Sequence, residues 1–313
     1  MLTALVTSPS ILIGTPLPSE NFSKIDMFGF ELSTTWKDNI SKDWSYFVTA
    51  NFSWSDNKYR VVDFPKGDKG TFKDPTNRSS DLGFYGYKYL GMFRTQKDID
   101  DYVAQYHITT MLGYTVDKLR PGMLYYADVR GKLDPATGKY AGPDGIIDVN
   151  DQDYLTKKAD NHYGLGLNWG LTYKTISLTA TMGMSWGGAG SVEGSAKKKA
   201  EVYSNKPAFW ADSWSPDNPN AAYPSPYYTS TYDLASDFWM RSSFQFRMMN
   251  LNLSYSLPPR LVKKGGFNLA RIYMNATNPI NFYNPYDYKD GSNGSYDVFP
   301  QLRSFNLGLN FNL

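Results

Sequence analysis

The sequence predicts an all-β fold, and within that class an antiparallel transmembrane β-barrel. Three observations lead to this prediction: seven segments alternate apolar and polar residues, the polar faces are almost uncharged, and the connections alternate between short and long. The mean hydropathy of −0.48 and the hydrophobic fraction of 41% are those of a soluble protein. A membrane-spanning strand needs apolar residues only at every second position, so a barrel also averages to a polar composition.

The seven segments show the two-residue period of strands that have two different faces. They cover residues 28–36, 44–54, 164–172, 176–186, 249–257, 270–276 and 305–313. Strands of about ten residues have the length that a tilted strand needs to cross a bilayer. In the fifth segment the apolar residues occupy odd-numbered positions, whereas just upstream Phe244 and Phe246 occupy even-numbered ones. This change predicts a β-bulge near Met248.

The polar faces of these segments are rich in Gly, Ser, Thr and Asn. A soluble sandwich carries Lys and Glu on its wet face, so this composition favours the lining of a barrel lumen. The lumen-lining residues predicted from parity are Glu31, Asn168, Asn250, Asn252 and Arg271. Aromatic residues at the strand ends fit interfacial girdles, with ordinary core packing as the alternative; they are Trp36, Trp44, Trp54, Tyr173 and Trp186.

The connections predict an orientation. Short connections cover 37–43, 173–175 and 258–267, and long ones cover 57–161, 188–238 and 279–301. Bacterial outer-membrane barrels have short periplasmic turns and long external loops, which places the C-terminus on the periplasmic side. Because a single-chain barrel has an even number of strands, we expect further strands before Met1.

Composition excludes several other classes of protein. No run of about 18 apolar residues is present, so a transmembrane helix is excluded. The 32 basic and 30 acidic residues are mixed along the chain, which leaves no basic face for nucleic acid. The chain has no Cys, so disulfides and thiolate chemistry are excluded. Residues 1–14 lack a basic n-region and a cleavage site, which predicts that an N-terminal signal peptide is missing.

From about Phe28 onward the sequence resembles the C-terminal region of the SusC/RagA family of TonB-dependent outer-membrane importers of Bacteroidota. Four stretches carry the resemblance, and their order and spacing fit the family through almost the whole chain. They are GFELSTTWKDNISKDWSYFVTANFSWSDNK (29–58), YKYLGMFRTQKDIDDY (87–102), DFWMRSSFQFRMMNLNLSYSLPPRLVKK (237–264), and ARIYMNATNPINFYNPYD (270–287) with the closing RSFNLGLNFNL (303–313).

The resemblance implies that residues 1–313 are the C-terminal part of one barrel domain and supply about the last seven of 22 strands. The plug, the TonB-contacting segment and the signal peptide are expected to be absent from this chain. The implied protein imports nutrients through the cell outer membrane, with energy from the TonB complex and a SusD-like lipoprotein as a lid. Glycans are the expected cargo, and peptides are the alternative. A secreted or surface carbohydrate-binding β-sandwich is the alternative from another class.

An acidic segment lies within the first long connection. Asp128, Asp144, Asp148 and Asp151 lie where the family has a compact Asp-rich loop that resembles a Ca²⁺ site with oxygen ligands at alternate positions. Here Arg130 replaces an Asn and an insertion disturbs the spacing, so a solvated loop with Asx turns is the competing interpretation. The nearby Thr95 and Asp98 predict an N-cap and capping residue for a short helix.

The second long connection is rich in aromatic residues. Stacking on sugar rings, contact with the lipoprotein lid and packing within the loop itself are three interpretations of this pattern. The residues predicted to contact cargo or lid are Trp210, Trp214, Tyr227 and Tyr228.

No catalytic constellation is predicted. The two histidines, His107 and His162, show no metal-ligand or nucleophile spacing. The sequence therefore predicts neither an enzyme nor a cofactor, apart from the weak calcium candidate.

Overall fold

The structure is a computed structural model that describes residues 2–3, 20–71, 73–197, 206–291 and 295–312. Leu313 of the predicted seventh strand and most of segment 1–14 lie outside the described residues. The chain divides into two compact units. The sheet unit comprises Phe28–Asp56, Asp160–Gly188 and Ser242–Leu313, and the loop unit comprises Met1–Met27, Asn57–Ala159 and Ala189–Arg241.

Seven long strands form one sheet in which each strand neighbours the next one along the chain. They are β1 Lys24–Asn39, β2 Trp44–Val61, β3 Tyr163–Tyr173, β4 Ile176–Trp186, β5 Gln245–Ser256, β6 Leu269–Tyr283 and β7 Ser304–Asn312. The registers from β2 to β7 are all antiparallel. The prediction of seven antiparallel strands with alternating short and long connections is confirmed, since the strands are joined through 40–43, 62–162, 174–175, 187–244, 257–268 and 284–303.

The predicted β-bulge in the fifth strand is confirmed. Thr181 of β4 pairs with Asn250, whereas the next residue, Met182, pairs with Met248, so Met249 is the extra residue in β5. The insertion returns the apolar residues on both sides of the bulge to the same face of the sheet. This explains why the apolar parity of the sequence shifts at that point.

The apolar face of the sheet unit is exposed. On the interior strands β5 and β6, Leu253 and Met274 are 38% and 37% exposed, and on β7 Leu307 reaches 78%. Monomers in water rarely expose contiguous apolar patches above a few hundred Å². A soluble sandwich covers this face with a second sheet, and the described residues form no second sheet of comparable size. The sandwich alternative is therefore disfavoured, and the barrel-type fold is confirmed.

Aromatic residues lie at both ends of this apolar face. Trp44 pairs with Tyr173 across the β2–β3 ladder, with ring centroids 4.5 Å apart. At the other end of the face the Tyr163 ring stacks on the Trp186 ring, with ring centroids 5.5 Å apart. Amphipathic rings favour the boundary between lipid and water, so this distribution fits the predicted girdles.

The loop unit is built from short elements. Its helices are α1 Gln96–Tyr106, α2 Gly194–Lys197 and α3 Thr229–Tyr232, while α4 Pro259–Lys264 belongs to the sheet unit. Its strands, with those near the N-terminus, are Leu2–Thr3, Glu20–Asn21, Phe84–Gly86, Tyr89–Met92, Thr110–Met111, Tyr114–Thr115, Leu124–Tyr126, Leu133–Asp134, Lys139–Tyr140, Ile146–Ile147, Asp153–Thr156, Ala189–Ser191 and Met240–Ser242. In the part of the chain that is described, no helix has the length and apolarity needed to cross a membrane.

Helix α1 begins at the predicted cap. The backbone N–H of Asp98 donates to the Thr95 hydroxyl, and the backbone N–H of Thr95 donates to the Asp98 carboxylate at 2.9 Å. Burial pushes the pKa of Asp98 upward, but these hydrogen bonds and one from the Arg94 N–H outweigh it and hold the pKa below its ordinary value. The predicted capping box is confirmed.

Aromatic residues form the core of the loop unit. Trp239 and Tyr126 are fully buried, and both satisfy their polar atoms. The Trp239 Nε1–H donates to the Tyr232 carbonyl at 2.7 Å, and the Tyr126 hydroxyl donates to the Thr231 carbonyl at 2.5 Å. Burial raises the pKa of Tyr126, so its hydroxyl stays protonated as a donor. The long connections thus build a core of the kind that soluble domains have.

Candidate functional site: the polar face of the sheet

The polar face is built from rows of uncharged residues that run across the strands. One row pairs Asn168 with Thr49 and Thr181, then Thr181 with Asn250, and ends at Thr277 and Ser304. A hydrogen bond of 2.9 Å between the Thr35 and Thr49 hydroxyls extends the row to β1. Hydroxyl and amide groups across the whole sheet give a surface that stays hydrated without fixed charge.

The five residues predicted from parity to line a lumen share this polar face. Asn168 and Asn250 belong to the row above, and Asn252 pairs with Thr179 and Asn275 in an adjacent row. Arg271 pairs with Ser256 and Asn310. Glu31 lines a recess with Ser33 and Asn51. Their placement on a lumen wall stays a prediction.

The recess, here called the glycine recess, is an open hollow of about 690 Å³. Its floor contains Gly164, Gly166 and Gly183, and on one side the Ser33 hydroxyl donates to the Asn51 side-chain carbonyl at 2.7 Å. A Cβ on Gly166 would meet no atom closer than 3.9 Å. Because these glycines have no side chains, the backbone of β3 and β4 is exposed here and the hollow above it stays open.

Two aromatic residues, Phe47 and Tyr273, lie on the polar face of the sheet. Phe47 lies over Gly170, and Tyr273 lies over Gly308, so that a Cβ on either glycine would overlap the ring. In both pairs an aromatic ring covers the bare backbone of a cross-strand glycine, which stabilises the ladder. The alternation placed Tyr273 on this face but left out Phe47, which is visible in the sequence as one aromatic residue that breaks the alternation after Tyr46 in β2.

A cluster of charged and amide groups at the far end of β6 was also missed. Two arginines, Arg247 and Arg303, line a cavity of about 110 Å³ together with Asp290. Asp290 belongs to the connection between β6 and β7, which also carries Tyr286 and Tyr288. The Lys289 ammonium of this connection lies 4.4 Å from the Tyr286 ring centroid. Sequence spacing could not reveal this cavity, because its members come from β5, from β6 and from the connection after β6, and their meeting depends on how that connection packs.

In the acidic segment of the loop unit, the Asp carboxylates accept hydrogen bonds from backbone N–H groups of the same segment. The Asp128 carboxylate accepts from the N–H groups of Asp144 and Gly145, and the Asp148 carboxylate accepts from the N–H of Asn150 at 2.8 Å. Asp151 is fully buried and accepts from the N–H groups of Val129, Arg130 and Asp148. The bond from the Asn150 N–H to Asp148, and that from the Ile146 N–H to Asp144, are the Asx turns of the competing interpretation.

Burial raises the pKa of Asp151, and the three backbone N–H groups act in the opposite direction. Across the described residues, no group of three or more acidic, His or Cys side chains is arranged to hold a metal ion. The calcium site at Asp128, Asp144, Asp148 and Asp151 therefore stays a prediction that this arrangement of side chains does not support.

The aromatic residues predicted to contact cargo or a lid have different environments. The Trp210 Nε1–H donates to the Ala196 carbonyl at 2.8 Å, and its ring centroid lies 5.2 Å from that of Tyr232. The ring of Trp214 lies against Gly122. Tyr228 is half-buried, whereas Tyr227 is 76% exposed. Packing within the loop thus accounts for the two tryptophans, and Tyr227 is the most accessible of the four; Tyr203 of the same connection lies outside the described residues.

Fold and faces together define a class of protein. An antiparallel sheet with one exposed apolar face, aromatic residues at both ends and one nearly uncharged polar face is the kind of sheet that forms the wall of an outer-membrane-type β-barrel. No family model matches the chain. TonB-dependent receptor P3 of Formosa agariphila is 23% identical over 339 residues, and the match covers 97% of this chain and 31% of the receptor.

Solved structures show the same fold. A structure of the RagAB peptide transporter matches 99% of this chain and 32% of its own with a TM-score of 0.67 and 18% identity. The RagAB peptide importer in its "closed-closed" state gives a TM-score of 0.69 at 17% identity. The predicted resemblance to TonB-dependent transporters is confirmed, and this chain spans about a third of the length of the proteins it matches.

Proposed function

We propose that this chain is the C-terminal part of the barrel of a TonB-dependent outer-membrane importer. The observation that carries the proposal is the alternation of β1–β7 between an exposed apolar face and an uncharged polar face. Lipid stabilises the first face and water the second, and a transport path needs both. The likeness to a TonB-dependent receptor and to a peptide transporter supports import over a static structural role.

Oligosaccharides are the proposed cargo, because glycans are the usual cargo implied by the resemblance to SusC/RagA importers. Peptides are the second candidate, and the names of the similar solved structures favour them. The polar face suits both, since amide and hydroxyl groups hydrogen-bond to sugar hydroxyls and to peptide groups alike.

The proposed partners are a SusD-like lipoprotein and the TonB complex. The loop unit has the rigid aromatic core that a surface for a protein partner requires, and Tyr227 is an exposed aromatic residue of the type enriched at interfaces. Contact with TonB is proposed from the likeness to a TonB-dependent receptor, and no described residue of this chain is assigned to it.

Deletion of the coding region in the native bacterium tests the proposal. We expect the protein in the outer-membrane fraction of the parent, and loss of growth on one cargo class, oligosaccharides or peptides, in the deletion strain. Growth on monosaccharides and amino acids is the control. Recovery of the protein from the soluble fraction, or unimpaired growth of the deletion strain on both cargo classes, would contradict it.

A further inference from the structure

The cavity at the far end of β6 exists because two strands end at different points. The β7 ladder stops where Ser304 pairs with Thr277, whereas β6 continues to Tyr283. Asn278, at the first position beyond the ladder, has a φ of 51°, and the β5–β6 register slips there. Asp290, Gln301 and Arg303 of the connection that follows β6 line a cavity of about 110 Å³ beside this part of the strand, here called the arginine cavity.

Most of the residues that line the arginine cavity are polar. Met248 and Ile280 are its apolar members. The polar members are two guanidinium groups, one carboxylate and three side-chain amides: Arg247, Arg303, Asp290, Asn278, Asn281 and Gln301. Among the described residues that line the cavity, Asp290 is the single acid, so the formal charge of the lining is positive.

Hydrogen bonds hold the connection in place around the cavity. The Gln245 side-chain amide donates to the Gly291 carbonyl at 2.8 Å, next to Asp290. The backbone N–H of Gln301 donates to the Asp290 carboxylate at 3.2 Å, and the Asn278 side-chain amide donates to the Leu302 carbonyl at 3.4 Å. These bonds hold Asp290 and Leu302, the residue before Arg303, in place. A site that is held in place before binding loses less entropy when it binds a ligand.

Arg247 connects the cavity to the open polar face. It pairs with Gly183, which lines the glycine recess, and with Asn281 on the other side. The surrounding rows carry Thr, Ser and Asn, so a guanidinium at this position is an exception on a nearly uncharged face. Two cations on one small cavity repel each other, and Asp290 offsets one of them, which leaves the site favourable for a single added negative charge.

We propose that the arginine cavity binds a carboxylate group of the imported cargo. The planar guanidinium fork matches a carboxylate with two parallel hydrogen bonds, and the side-chain amides supply further donors. The inference rests on the proposed import function and names the chemistry of the cargo. A peptide with a free C-terminus and an oligosaccharide that contains uronic acid both carry this group.

Binding to the detergent-solubilised full-length protein, measured by calorimetry, tests the inference. The first pair of probes is a pentapeptide library with free C-termini and the same library amidated. The second pair is a four-sugar oligogalacturonide and its carboxyl-reduced neutral form. We expect the acidic member of one pair to bind roughly ten- to hundredfold more tightly than its neutral partner, as charge-assisted hydrogen bonds imply.

Arg303→Gln and Arg247→Gln are each expected to reduce this preference at least tenfold, while Arg260→Gln on the exposed surface of α4 leaves it unchanged. Resistance of the folded barrel to SDS before heating confirms that each variant is folded. The pair of probes that shows the preference identifies the source of the carboxylate.

Three outcomes overturn the inference. Equal binding of acidic and neutral probes refutes the carboxylate site and leaves the import function standing. A preference that survives in both arginine variants places carboxylate recognition elsewhere in the protein. Absence of binding by all four probes refutes the import of these cargo classes together with the site.

Discussion

The loop unit and the sheet unit use the same residue types in opposite ways. In the loop unit large side chains such as Phe93 and Trp239 are fully buried. In the sheet unit side chains of similar size, such as Phe305 and Leu307, remain mostly exposed. The burial of apolar area stabilises a fold in water, but a side chain that faces lipid is already in an apolar medium. This contrast is the one expected if, as proposed, the sheet unit lies in the outer membrane and the loop unit lies in water.

The two units also differ in how they treat polar groups. The loop unit buries Asp151 and satisfies it with three backbone N–H groups, as soluble cores do. The sheet unit instead arranges its amides and hydroxyls in rows across one open face, such as Asn168, Thr181 and Asn250. Polar groups in the loop unit therefore serve its structure, whereas those of the sheet unit remain open on one face, where the proposed import function would place the cargo.

The largest expected effect is on the core of the loop unit. Trp239→Ala removes a fully buried ring and its hydrogen bond to Tyr232, and should destabilise the unit by about 3–5 kcal/mol. Hydrogen exchange and limited trypsin digestion should show the loop unit opened while the barrel stays SDS-resistant. Tyr227→Ala, at an exposed position, is the control and should change stability by no more than about 0.5 kcal/mol. Simultaneous loss of the SDS-resistant barrel would show that the units are not independent.

The second largest expected effect is a difference in stability cost between substitutions on the two faces of the sheet. Leu251 and Asn252 are adjacent in β5 and pair with Ala180 and Thr179, on opposite faces. Leu251→Arg should cost about 2–4 kcal/mol, because a cation near the bilayer midplane is poorly solvated. Asn252→Arg is the matched control and should cost far less. Urea unfolding in lipid vesicles measures both, and equal costs would argue against a lipid-facing side.

The smallest effect concerns the glycines of β3. Gly170→Ala places a methyl group against the Phe47 ring, which should cost about 1–3 kcal/mol through overpacking. Gly166→Ala has open space around it and should be neutral or stabilise by about 0.5–1 kcal/mol, because Ala loses less backbone entropy than Gly. The same urea measurement distinguishes them. A cost at Gly166 equal to that at Gly170 would contradict the difference in packing.

Local pattern was enough to predict much of the sheet. Period-two alternation identified seven strands, and the break in alternation at Phe246 predicted a bulge near Met248, next to the extra residue Met249 of the structure. The Thr95–Asp98 capping box predicted the start of α1. Each of these features depends on residues that are close along the chain, where side-chain direction follows from backbone geometry. Parity also placed Asn168, Asn250 and Asn252 on one face.

The sequence by itself determined the fold class, the two faces of the sheet and the order of the strands. Only the tertiary structure decided that the long connections share an aromatic core, and that Trp210 and Trp214 belong to it rather than to an exposed surface. It also decided that Arg247, Asp290 and Arg303 line one cavity. Alternation is a local property that the pleat of each strand imposes. The meeting of distant segments depends on where strands end and how connections pack, which no local pattern encodes.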